Sequence, residues 1–202
     1  MLGGLCILWL GGLFFAAHQQ TTYWKDSITL WNHTIRSTSE NALAQGNLGV
    51  AYLDEGDARE AEKHLREQLL IDPSSADSHY NLGLLAHQAG HCDEAIAEYQ
   101  QALKIEATHL KAQLNLGEAL FSLGKIEESI NLYRAVLIQY PANAVAHNNL
   151  GYALMKSARI NEAIVEYQEA LRLDPNYKQA KENLTHAESL LHQRGKAPSF
   201  LP

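Results

Sequence analysis

The chain has 202 residues, 46% apolar and 19% charged, enough for one sizeable folded unit and without the bias of a disordered polymer. Its formal net charge is −7, with acidic and basic residues interleaved rather than blocked, so it offers no electrostatic footprint for a nucleic-acid backbone. Cys6 lies in an apolar N-terminus and Cys92 stands alone in the remainder, so no intrachain disulfide is expected there.

The first segment, MLGGLCILWLGGLFFAA, holds no Asp, Glu, Lys or Arg, and the first charge is Lys25. As a helix it would extend roughly 25 Å, the short end of what crosses a hydrocarbon core of about 30 Å. Residues 1–18 are therefore predicted as a transmembrane helix or anchor. A cleaved secretory signal is the competing reading. It is weakened by the lack of a basic residue ahead of the apolar run and by Phe15 at the third position before a cut after Ala17. Tyr23 and Trp24 follow where amphipathic rings favour the membrane boundary, and both also suit the core of a following helix. The sequence predicts a single pass and leaves its orientation open, because charge bias needs loops on both sides. A span that begins at residue 1 leads to the expectation that the chain is the tail of a longer protein.

Beyond YWKDSITLWNHTIRSTSE, residues 23–40, the sequence falls into four rows of 34 with no insertion or deletion: 42–75, 76–109, 110–143 and 144–177. Leu48, Leu82, Leu116 and Leu150 supply the apolar stripe of a first helix in each row. The adjoining Gly49, Gly83, Gly117 and Gly151 remove the side chain at a crossing. Glycine inside a helix costs about 1 kcal/mol relative to Ala, so its recurrence at one phase implies close packing that recovers the loss. Ala61, Ala95, Ser129 and Ala163 are the small partners on the second helix, with Leu65, Tyr99, Tyr133 and Tyr167 beside them. Gly56, Gly90 and Gly124 fall where the first helix must stop in a left-handed turn, and Ala158 departs from that column. Pro73, Pro141 and Pro175 end the second helices, while Ala107 breaks their column and leads to the expectation of a looser joint.

A 34-residue period with Leu-Gly early, a small residue in the middle, an aromatic four residues later and Pro near the end resembles the tetratricopeptide repeat (TPR). The resemblance implies an all-α solenoid, a right-handed superhelix with the first helices lining its concave side, behind an N-terminal apolar membrane helix. Counting back 34 from the first full row puts Ser27 in the small column and Trp31 in the aromatic one, so residues 23–41 read as a degenerate half-repeat whose rings pack on the next helix. Residues 178–193 read as a polar-faced capping helix, which a solenoid needs at its exposed end, and 194–202 as a disordered tail.

The concave side is where TPR proteins bind peptides, and the position before Leu-Gly is always Asn: Asn47, Asn81, Asn115, Asn149, and Asn183 in the cap. Helix axes about 8–10 Å apart and a strand rise of about 3.3 Å per residue would let such amides address about every third residue of an extended peptide. The pattern resembles the asparagine ladder in the TPR superhelix of O-linked N-acetylglucosamine transferase. Equally, these amides could satisfy helix groups or simply follow the repeat consensus. Other groove positions vary between rows: Tyr80, Leu84, His87, Lys111, Glu118, Phe121, Asn148, Tyr152, Met155 and Lys156. Apolar and aromatic side chains on a concave face suit a peptide with spaced anchors, although Leu84 and Tyr152 also suit packing between repeats. The basic clamp of TPR proteins that hold a chain end is matched by Lys111 and Asn81 but not by Gly46 and Val50, so a free carboxylate is not expected as anchor.

No catalytic constellation is visible: there is no HExxH, Walker A, GxGxxG or GxSxG. His87, His91 and Cys92 are the best cluster for zinc, but two of them fall in a turn and no fourth ligand recurs nearby, so no metal or other cofactor is expected. Pairs such as Glu127 and Glu128 read as solvated faces. Asn32-His33-Thr34 and Asn183-Leu184-Thr185 match the glycosylation triplet, relevant only in a secretory lumen. The junction of apolar span, Trp24-Lys25-Asp26-Ser27 and Leu30-Trp31 resembles the C-terminal end of TPR-tailed membrane glycosyltransferases of the O-mannosyltransferase-like type. Two expectations follow: a non-enzymatic, membrane-tethered scaffold binding extended peptides, or the accessory domain of such a transferase, on an extracytoplasmic or lumenal face. Neither nucleic acid nor a small-molecule substrate is expected as partner.

Overall fold

A computed structural model of the chain describes residues 27–38 and 40–196. The expected membrane helix at 1–18, Tyr23, Trp24 and the last six residues lie outside them. Among the described residues there are ten helices and no strand, and no helix is long and apolar enough to cross a membrane. They are α1 Ser27–Ser37, α2 Ala42–Glu55, α3 Ala58–Ile71, α4 Ala76–Gln88, α5 Cys92–Ile105, α6 Leu110–Ser122, α7 Ile126–Gln139, α8 Ala144–Lys156, α9 Ile160–Leu173 and α10 Lys178–Lys196. The chain divides into two compact units, one up to Leu82 and one from Gly83 onward, with the boundary inside α4.

Local signals set the helix ends. The side chains of Asn41, Asp57 and Asn143 accept from the backbone N–H three residues on, at 2.9, 3.2 and 2.8 Å, and His109 does the same through Nδ1 at 3.2 Å. Gly56, Gly90 and Gly124 stop the first helices at φ of +80° to +81°. Ala158 adopts the same left-handed turn at φ +64°, closed by Ala158 N–H to Met155 O at 3.1 Å and Arg159 N–H to Leu154 O at 2.9 Å. The fourth row thus keeps the geometry and carries its strain. The joint lacking Pro is not looser: Glu106 sits at φ −129°, ψ 93°, beside −133°, 94° for Asp174. Side chains hold it instead, Gln113 donating to Ala107 O at 2.8 Å and Tyr140 to Thr108 O at 3.0 Å.

In the first unit, α1 packs on α2 and α2 on α3, where Leu65 fills the space above Gly49. Trp31 is only half-buried and α1 has no fully buried residue, so the aromatic column carries less weight there than the register predicts. Ser78 on α4 donates to the Gln68 amide oxygen, and the same amide occupies the space a Cβ at Gly46 would need. In the second unit each helix from α5 onward packs on the next. Tyr99, Tyr133 and Tyr167 lie against Gly83, Gly117 and Gly151, and the small partners Ala95, Ser129 and Ala163 are fully buried. Ser129 also donates to Gly117 O at 2.7 Å, which explains a hydroxyl in that column. At the end, α10 packs on α9 and α8 and buries Ala180 and Ala187. It runs to Lys196, past the boundary expected at 193, through Gly195 and up to the residue before Pro198.

Two substitutions should move stability in opposite directions. A Cβ on Gly117 would stand 2.5 Å from Tyr133 Cε1, so Gly117→Ala should destabilise by about 1–3 kcal/mol, the range for overpacking. Ala158→Gly should stabilise by about 1 kcal/mol by releasing the left-handed strain. Urea unfolding of both variants checks the pair, and unchanged midpoints would show that neither crossing nor turn is as tight as described.

Candidate functional site

A cleft of about 450 Å³ opens in the second unit on the faces of α6 and α8. Helical spacing builds it: Glu118, Phe121 and Ser122 come from α6, and Val145, Asn148, Asn149 and Tyr152 from α8, at offsets of three, four and seven that share one face. Tyr133 of α7 forms part of the lining, and Tyr177 and Gln179 reach it from the start of the last helix. The rings of Phe121 and Tyr152 meet at 5.2 Å between centroids, tilted by 52°, and make a continuous aromatic wall. The Lys156 ammonium stands 5.3 Å from the Tyr152 centroid.

A chain of amides holds this wall. Asn183 donates to Asn148 Oδ1 at 3.0 Å, and Asn148 donates to Asn149 Oδ1 at 3.2 Å. Asn149 in turn bonds the Tyr133 hydroxyl, whose own proton points to Leu114 O at 3.4 Å. Burial pushes the Tyr133 hydroxyl far above the ordinary phenol range, with the Glu118 charge adding to it and the bonds from Ser129 and Asn149 opposing it. Tyr177 is raised as well, first by burial, with its bond to Asn148 acting the other way. Neither tyrosine is poised as an acid or base near neutrality, and no group of three His, Cys, Asp or Glu among the described residues is placed to hold a metal.

Of the residues singled out in the sequence, Phe121, Asn148, Asn149 and Tyr152 come together in the cleft with Glu118. Asn183 joins them through Asn148. Asn148 itself is 1% exposed, so it is a brace and not a contact surface. Half-buried Asn115 and exposed Lys111 lie on α6 outside the cleft lining, and half-buried His87 lies on α4. Asn47, Tyr80 and Asn81 belong to the first unit, each half-buried. Tyr177 was not singled out, yet its column signals it. Asn41, Ser75, His109 and Asn143 fill that position elsewhere and cap a helix, which a tyrosine cannot do in the same way.

Three family models, each described as a tetratricopeptide repeat, match residues 40–106, 86–139 and 114–178. Residues 40–178 belong to the tetratricopeptide-repeat family. No match was found among the curated proteins compared. Among solved structures, the crystal structure of MamA aligns at a TM-score of 0.68 with 24% identity, covering 76% of this chain and 89% of that one. PilF of Pseudomonas aeruginosa gives 0.68 and 25%, with 75% and 69% covered. YrrB, a TPR protein with an unusual peptide-binding site, gives 0.68 and 20%, with 88% of each chain covered. The resemblance of the N-terminal junction to membrane glycosyltransferases finds no support in these matches.

The amide chain makes Asn148 the most sensitive polar residue of the site. Asn148→Ala removes its bonds to Asn183, Asn149 and Tyr177, for a loss of about 1–3 kcal/mol. A double-mutant cycle with Asn183→Ala, read by chemical denaturation, should return a coupling of about 0.5 kcal/mol or more. Additive losses would mean that the two amides act independently.

Proposed function

We propose that this TPR chain is a non-enzymatic interaction module that captures an extended peptide segment in the cleft between α6 and α8. The observation that carries the proposal is an open, half-polar cleft in which an aromatic wall faces amides, all supplied by the repeats' first helices and the segment that follows them. Rings supply contact area at low entropic cost, and amides pair with peptide groups irrespective of side chain. Counting the bonds described, Asn149 spends one N–H and one lone pair, and keeps one of each for a peptide unit. Asn183 keeps its carbonyl oxygen and its second N–H. The neighbour YrrB, with its peptide-binding site, supports the class of ligand. In this reading α1 with the residues before it is a degenerate half-repeat at one end, and α10 is the cap at the other.

A phage-displayed library of random dodecapeptides panned on the full chain tests the proposal. Enriched peptides should lose about tenfold or more in affinity when Phe121→Ala, Asn149→Ala and Tyr152→Ala are combined, since a lost bond contributes about 0.5–1.5 kcal/mol and each ring more. The helical circular-dichroism signal should remain. Normal binding by the triple variant would place the ligand elsewhere.

A further inference from the structure

The cleft of the second unit gathers four rings, Phe121, Tyr133, Tyr152 and Tyr177, three amides and a single formal charge, the carboxylate of Glu118. Glu118 is exposed and takes part in no ion pair or hydrogen bond among the described residues. Lys156 stands over the Tyr152 ring and is not paired with Glu118. This charge is peculiar to one repeat, because the same column holds Val50, Leu84 and Tyr152 in the other rows. Several other surface carboxylates are matched within the chain, Glu162 by Arg159 and Arg134, Glu169 by Arg172 and Glu60 by Lys63, and what sets Glu118 apart from the unmatched ones is its place among the rings of the cleft. An unmatched negative charge among ring faces favours a ligand that brings a cation, since carboxylate and ring quadrupoles attract it together.

We propose that the cleft selects peptides through a lysine or arginine side chain, whose cation pairs with Glu118 while its methylene stem lies along the rings of Phe121 and Tyr152. The inference rests on the peptide-capture reading above and adds the chemistry of the residue that is read. The stem and head of these side chains suit the two halves of the site, because the (CH2) run covers apolar surface while the charge stays at the mouth. An acidic peptide or a chain-end carboxylate meets repulsion from Glu118 instead. The Asn149 amide, with one N–H and one lone pair left, serves the peptide backbone and is indifferent to the choice.

The test uses the full chain and four pools of dye-labelled decapeptides, random except for Lys, Arg, Ala or Glu fixed at the fifth position, read by fluorescence anisotropy. The Lys and Arg pools should bind about three- to fivefold more tightly than the Ala pool, the range of a partly screened ion pair, and the Glu pool more weakly. Half-molar salt should shrink the difference. Glu118→Gln should abolish the preference, and Glu118→Lys should invert it towards the Glu pool, with melting temperatures unchanged because the residue is exposed. Equal binding of all four pools, or a basic preference that survives Glu118→Gln, would overturn the charge assignment and leave peptide capture standing. Failure of every pool to bind would remove both.

Discussion

The contact on which the structure depends is the meeting of a glycine on each repeat's first helix with a large side chain on its second. Leu65 above Gly49 and Tyr99, Tyr133 and Tyr167 above Gly83, Gly117 and Gly151 are four versions of one crossing. In each, the ring or branched carbon occupies the volume a Cβ would take, so helix separation is set by backbone against side chain. That contact buries the tyrosine body at the cost of a glycine in each helix, a trade of about 1 kcal/mol against the roughly 1.5–3 kcal/mol of burying a large apolar side chain. The small residues one turn earlier on the second helix complete it, and Ser129 shows that a hydroxyl is tolerated when the opposing carbonyl is within 2.7 Å.

Because the crossing uses one face of each first helix, the opposite face is relieved of packing. On α6 the residue after Gly117 is Glu118, and on α8 the residue after Gly151 is Tyr152. Both line the cleft, Glu118 exposed and Tyr152 against the Phe121 ring. This separation lets the landmark residues repeat while the exposed positions differ between rows. The amide chain from Asn183 through Asn148 to Asn149 and Tyr133 links the two roles, since it joins the packing tyrosine of one repeat to the face where a ligand would lie. Hydrogen bonds in such a chain polarise one another and fix side-chain rotamers, so they hold the shape of the cleft.

The repeat was legible because its landmarks carry backbone consequences: a missing Cβ, a left-handed turn, a missing N–H. Where a landmark is absent the backbone geometry persists, as at Ala107 and Ala158, because flanking repeats and local side chains determine it once the pattern is established. Trp31 illustrates the opposite limit. Its helix α1 packs on α2, but a column position buries a ring only as far as neighbouring elements cover it, and Trp31 is half-buried. The cleft was half legible. Phe121 and Tyr152 follow from helical phase, whereas Tyr177 enters from a loop, where phase says nothing and only its failure to resemble a capping residue marks it.

The two asparagines at 148 and 149 show why composition alone could not sort ligand-facing residues from braces. They are adjacent and chemically identical, but a helix turns by about 100° per residue, so they lead to different surroundings. Asn148 is turned towards α10, where it is buried and bonds Asn183 and Tyr177. Asn149 is turned towards α7 and keeps an edge on the cleft. In the second unit the recurrent asparagine column thus carries structural bonds while one member keeps unspent hydrogen-bonding capacity. Its member at 149 keeps enough hydrogen-bonding capacity for one peptide unit because the variable neighbour at 148 takes over the link to the last helix. A row without asparagine at the 148 position would leave its column amide to make that link itself, and the balance between holding the fold and holding a ligand would be struck differently from repeat to repeat.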